Sequence, residues 1–141
     1  MSMKWVKGRT KIVFYPKAAS TAFTKNTLVY FDGSGAITPA IATSGDHIGI
    51  VLKSVASTDA DYAANTLIAV EIPQDKFCVF EADVTSGLTA AKVGTTMDLT
   101  DAGTVSVATS KKVVTCVKFI TATKGRFVLN STFDVFRVAT T

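Results

Sequence analysis

Histidine occurs once in this chain, at His47, and cysteine twice, at Cys78 and Cys116. A Ser-His-Asp or Cys-His mechanism would have to use His47, which follows Asp46 at a turn-to-strand junction with no nucleophile pattern beside it. One histidine and two cysteines without CxxC spacing supply no zinc-ligand set. Each cysteine lies inside an apolar, strand-like segment, where a reduced thiol behaves as a small hydrophobe. No apolar run approaches the ~18 residues of a membrane span. The opening MSMKWVKGRTK lacks the apolar stretch of a secretory signal, so the expectation is synthesis in the cytoplasm and no membrane partner. Phosphate-binding loops are absent too. Asp32-Gly33-Ser34-Gly35 lacks the third glycine and the following helix of a dinucleotide fingerprint. Asp59-Ala60-Asp61 begins like a calcium loop, but Ala63 stands where a third oxygen ligand belongs, and no Gly or terminal Glu follows in place. Glu71, Glu81 and Asp83 alternate with apolar neighbours and read as solvated strand faces, not as a glycosidase pair. The expectation is no catalysis and no cofactor.

What the chain does have is β-strand. Its 141 residues suit one domain, and a chain of this size buries about two-thirds of the surface its unfolded form exposes. Hydrophobic residues make up 48% and the mean hydropathy is +0.33, which implies a generous core or apolar surface that meets a partner. The centre, from His47 to Val84, holds three apolar segments bounded by Asp, Asn, Pro and Gly. The runs Ile48 to Leu52 and Leu67 to Val70 suit strands covered on both faces. Further strands are expected over Ile12–Tyr15, Leu28–Phe31, Ala36–Thr38, Thr95–Leu99, Thr104–Val107, Val113–Ile120 and Arg126–Asn130, the last two as a hairpin. Phe133 to Val138 alternates again, as a closing strand or docked tail. Gly87 to Gly94 has room for one helical turn, and a turn or short helical stretch is expected with Asp59 near its start and Tyr62 packing inward. About ten short strands with no long helix mean a sandwich or a barrel.

Charge is unevenly laid out. Residues 1–25 carry six basic side chains and no acid; residues 26–110 have a net charge of −7, and residues 111–141 of +5. The first stretch reads as an extended basic arm running into a first strand that Pro16 ends or places at an edge. Within it, Lys4, Trp5, Lys7, Arg9 and Lys11 are the candidate protein-binding residues: cations for an acidic protein surface, and a large aromatic that needs a pocket. The same cations mixed with Trp5, Phe14 and Tyr15 could track a single-stranded nucleic acid, though the acidic middle would repel phosphate. A carbohydrate- or cell-surface-binding β-sandwich module is the other alternative, and clustered exposed aromatics would mark it.

TSGDHIGIVLKSVASTDADYA, AVEIP, FEADV, VGTTMDLTDAGTV and FITATKGRFVLN occur in this order. Over roughly residues 20 to 130 the chain resembles the head-decoration (cement, or auxiliary capsid) proteins of tailed bacteriophages. The resemblance implies a compact, all-β, single-domain sandwich or barrel (β-tulip-like) with an extended N-terminal arm, a body over 20–130 and a C-terminal strand or tail over 131–141. It further implies a virion protein on the outer capsid surface, made in the host bacterial cytoplasm, often as a homotrimer. Its partners would be the major capsid protein and other copies of itself, with no nucleic acid. Its task would be to clamp neighbouring capsid subunits, without catalytic residues.

Overall fold

The structure, a computed structural model, describes residues 3–42, 47–75 and 77–130. Eleven strands and one short 3-10 turn make up the described chain. They are β1 (Lys4–Lys7), β2 (Thr10–Pro16), β3 (Leu28–Phe31), β4 (Ile37–Pro39), β5 (His47–Val51), β6 (Leu67–Pro73), β7 (Val79–Val84), β8 (Thr96–Asp101), β9 (Thr104–Ser106), β10 (Val114–Thr121) and β11 (Lys124–Leu129). The all-β reading holds. The 3-10 turn, Ala90–Lys92, falls between Gly87 and Gly94, where a helical turn is expected, and Gly94 follows it at φ +89°.

One sheet closes on itself. Its ring runs β7-β11-β10-β8-β9 and returns to β7 through a parallel pairing of Asp83 with Thr104 and Val84 with Val105. Closure removes most of the edges that an open sheet would expose. The interior follows from strict alternation: on β7, Phe80, Ala82 and Val84 are buried while the residues between them are half-exposed. Met97, Leu99, Val105, Val114, Cys116 and Phe127 fill the same core. The outward residues of β7 pair with β11, with Arg126 Nε 3.4 Å from Glu81 and Lys124 Nζ 3.9 Å from Asp83. The β10–β11 turn is tighter than the sequence suggests, with Lys124 already paired to Thr121.

The second sheet has the order β2-β6-β5-β3-β4. Just past β2, Lys17 forms a parallel bridge to Ile37, so the two outer strands meet at one end. One face holds a core of Phe23, Val29, Ile37, Ile48, Val51, Val55, Ile68, Val70 and Ile72. From the same sheet Leu28, Ala40 and Ile50 join the barrel core, so β3 and β5 are covered on both sides. All five residues of β5 are buried: Ile48 to Val51 as the apolar run predicts, and His47 with them. Gly49 makes this possible: a Cβ there would stand 2.4 Å from the Glu71 carbonyl oxygen, so only glycine lets β5 lie this close to β6. For β6 the expectation of two covered faces is corrected. Leu67 is 64% exposed and the burial alternates, because the barrel backs onto β3 and β5, not onto β6. The strand expected over Phe133 to Val138 lies outside the described residues.

Candidate protein-docking surface

Residues Lys4 to Lys7 are extended, as expected, but they are not a free arm. They form β1, paired antiparallel to the first half of β7 with Trp5 opposite Phe80. Met3, before it, is fully buried in the barrel core. The Trp5 ring meets Phe80 edge-on at 5.4 Å between centroids, and its indole N–H donates to the Glu71 carbonyl at 3.0 Å. Trp5 therefore joins β7 of the barrel to β6 of the second sheet, and its pocket belongs to its own chain. Gly8, at φ +95°, turns the chain out of β1 where a Cβ would touch Cys78. Lys4, Lys7, Arg9 and Lys11 all remain exposed. Among the described residues none of the four has an ion-pair partner, whereas Lys53 and Arg126 each have one and Lys124 has two. The structure thus gathers four cations on β1, β2 and their connecting turn, and gives Trp5 a different task.

The cations lead into β2, which lies at one end of its sheet with β6 as its single strand neighbour among the described residues. The register from Thr10↔Pro73 to Pro16↔Leu67 is unbroken, and Gln74 N–H donates to Arg9 O while Lys17 N–H donates to Thr66 O. Odd-numbered residues therefore spend their backbone groups on β6, and Thr10, Ile12, Phe14 and Pro16 turn theirs to the open side. Proline suits that side, having no N–H to leave unpaired. Side chains divide the same way. Val13 and Tyr15 pack on the inner core, with Tyr15 edge-on to Phe31 at 5.3 Å. Ile12 and Phe14 stand outward, 58% and 61% exposed, on the same face as Leu67 across the strand pair. Of the three aromatics that suggested base stacking, only Phe14 is free to stack; Trp5 and Tyr15 are engaged. The exposed apolar stripe was not legible as such, since KIVFY reads equally well as core.

The remaining polar candidates are accounted for structurally. Asp59 accepts from the Ala56 N–H, Asp61 lies 3.6 Å from Lys53, and Tyr62 packs on the second core, so this stretch is a turn. His47 is a strand-end histidine but a buried one, its ring 6.1 Å from that of Tyr30. Cys78 and Cys116 are buried with free thiols, and burial raises the Cys116 thiol above its ordinary range. Two features escaped sequence reasoning. Lys17 is fully buried, its ammonium donating to the carbonyls of Tyr62 (2.7 Å) and Ala18 (3.1 Å) where the second sheet's ends meet. Asp98, also buried, accepts from the backbone N–H groups of Ser110, Lys111 and Lys112 and from the Ser110 hydroxyl. Burial pushes its carboxyl up, but these donors outweigh that and hold it below the usual carboxylate range. Among the described residues there is no group of three or more His, Cys, Asp or Glu placed to hold a metal ion, and no helix long and apolar enough to cross a membrane. No protein-family model matches the chain, and no curated protein matches it.

Proposed function

We propose that this protein is a head-decoration protein of a tailed bacteriophage. It sits on the outer surface of the mature capsid and stabilises the shell by clamping neighbouring major capsid subunits. It acts through protein contacts alone, with no catalytic residue and no cofactor, and works alongside further copies of itself in a trimeric arrangement. The observation that carries this reading is the surface formed by β1 and β2. Four exposed cations without an ion-pair partner among the described residues (Lys4, Lys7, Arg9, Lys11) lead into the strand that carries an exposed apolar stripe (Ile12, Phe14, Leu67), with Lys11 on the face of β2 opposite the stripe. Such a surface suits a partner that is acidic beside an apolar strip. The closed barrel and double core make the body a rigid platform for it, and the sequence resemblance supplies the partner's identity.

The test is co-sedimentation of the purified protein with undecorated, expanded shells of the phage that encodes it, beside prohead-like shells. Saturable binding to the expanded form is expected and gives the copies per shell. A folded protein that binds neither shell overturns the reading. Single-stranded DNA at low salt is the companion sample, and binding there that falls steeply with salt would reassign the basic strip to nucleic acid.

A further inference from the structure

Among the described residues no strand covers the outer edge of β2. A strand edge with free N–H and C=O groups is a template for another strand, and proteins protect such edges with charges, proline or a covering segment. Here protection stops at the two ends. Lys11 and Arg9 stand before the apolar stripe, and Pro16 and the Lys17–Ile37 bridge close the other end. Between them Ile12 and Phe14 leave both backbone groups and side chains open, beside an exposed Leu67.

We propose that the occupant of this edge is the same edge of a second copy, paired antiparallel about a twofold axis through Ile12. The segment is complementary to itself in that register. Ile12 pairs with Ile12 of the other copy and Thr10 with Phe14, so the groups that β2 turns outward form six backbone hydrogen bonds across the axis. Pro16, which has no N–H, and the bridged Lys17 fall outside the paired stretch. On the outer face the two stripes merge into one apolar strip of six large side chains, Ile12, Phe14 and Leu67 from each copy, which removes surface that a monomer leaves wet. On the other face Lys11 lies opposite Val13 and Arg9 opposite Tyr15, so no cation directly faces a cation. The two five-stranded sheets become one of ten strands. The contact is isologous and closes at two copies. It is therefore separate from any threefold contact and can join one trimer to the next.

The experiment uses the full-length purified chain without capsids, so its failure leaves the capsid reading untouched. Light-scattering mass at about 200 µM should be an even multiple of the 14.9 kDa chain, and either Ile12→Pro or Phe14→Lys should halve it. Ile12→Pro removes only an outward N–H, so the β6 pairing survives, and circular dichroism checks the fold. In a separate variant, Ile12→Cys, oxidation should give a disulfide-linked dimer, since hydrogen-bonded partners about 5.5 Å apart at Cα are within bridging range. Cys78 and Cys116 are buried and serve as the internal control. A wild-type monomer, an odd-numbered assembly, or a mass unmoved by both variants overturns the proposal. So does an Ile12→Cys chain that stays uncrosslinked while its mass is that of the wild type.

Discussion

Asp98 shows how much one side chain can organise here. Its carboxylate gathers three consecutive backbone N–H groups and a hydroxyl, and so pins residues 110–112, including Lys112 in its left-handed conformation, against β8. Asp98→Ala should cost about 3 kcal/mol in urea unfolding, because several buried donors lose a charged acceptor at once. The pH dependence has a definite sign. The folded carboxyl titrates below its unfolded value, so its stabilisation is present in full above the ordinary carboxylate range. It is lost as pH falls through the lowered folded value. An acid unfolding series should therefore show wild type losing stability over that interval more than Asp98→Asn does. Gly49 is the second residue-scale test. Gly49→Ala puts a methyl group on the Glu71 carbonyl, and β5 and β6 would have to separate. A loss of about 3 kcal/mol or failure to fold is expected, while Gly33→Ala, in a turn with open space around it, should cost far less despite its φ of +92°.

At the scale of elements, β1 is the informative case. Removing residues 1–11 would strip Met3 from the barrel core, β1 from β7, and the first residues of β2 from β6. Such a deletion tests folding before it tests binding. Trp5 likewise belongs to stability: Trp5→Ala should lower the folding free energy by about 3 kcal/mol, read as a shift in the urea midpoint at unchanged slope. Trp5→Phe keeps the ring contact with Phe80 and loses the bond to Glu71, so about 1 kcal/mol is expected. If Trp5→Ala left stability unchanged and weakened shell binding, Trp5 would be a partner anchor after all. The alternation of β7 and the unbroken run of β5 made their burial legible in advance. β2 and β6 were harder, because a strand's outer face is named by what lies across from it, and no local pattern says whether a neighbouring layer is there.

The whole molecule is a closed barrel sharing its core with a second curled sheet, and its charge layout matters at this scale. Cations and carboxylates of β7 and β11 neutralise one another across the pair, which at such exposed positions contributes at most about 1 kcal/mol each. The cations of β1 and β2 have no such partners among the described residues and stand exposed. Replacing Lys4, Lys7, Arg9 and Lys11 together by Gln should leave the urea midpoint almost unchanged. Shell affinity should fall tenfold or more, and its salt dependence should flatten. A variant that unfolds more easily but binds normally would assign these residues to stability instead. Lys124→Gln, on the paired side, should change neither property measurably.

The strand content, the turns at Asp32–Gly35 and Asp59–Tyr62, the buried cysteines and the basic character of the N-terminal stretch were all determined by local sequence. Each depends on residue type and on spacings of two to four residues. Tertiary structure alone decided that Lys4–Lys7 completes a sheet, that Trp5 closes on its own Glu71 carbonyl, and that Lys17 is interior while Phe14 is not. Those outcomes depend on partners 45 to 77 residues away along the chain, such as Tyr62 for Lys17, Glu71 for Trp5 and Glu81 for Lys4. A strand's own residues set its period, but the layer that covers it comes from elsewhere in the sequence.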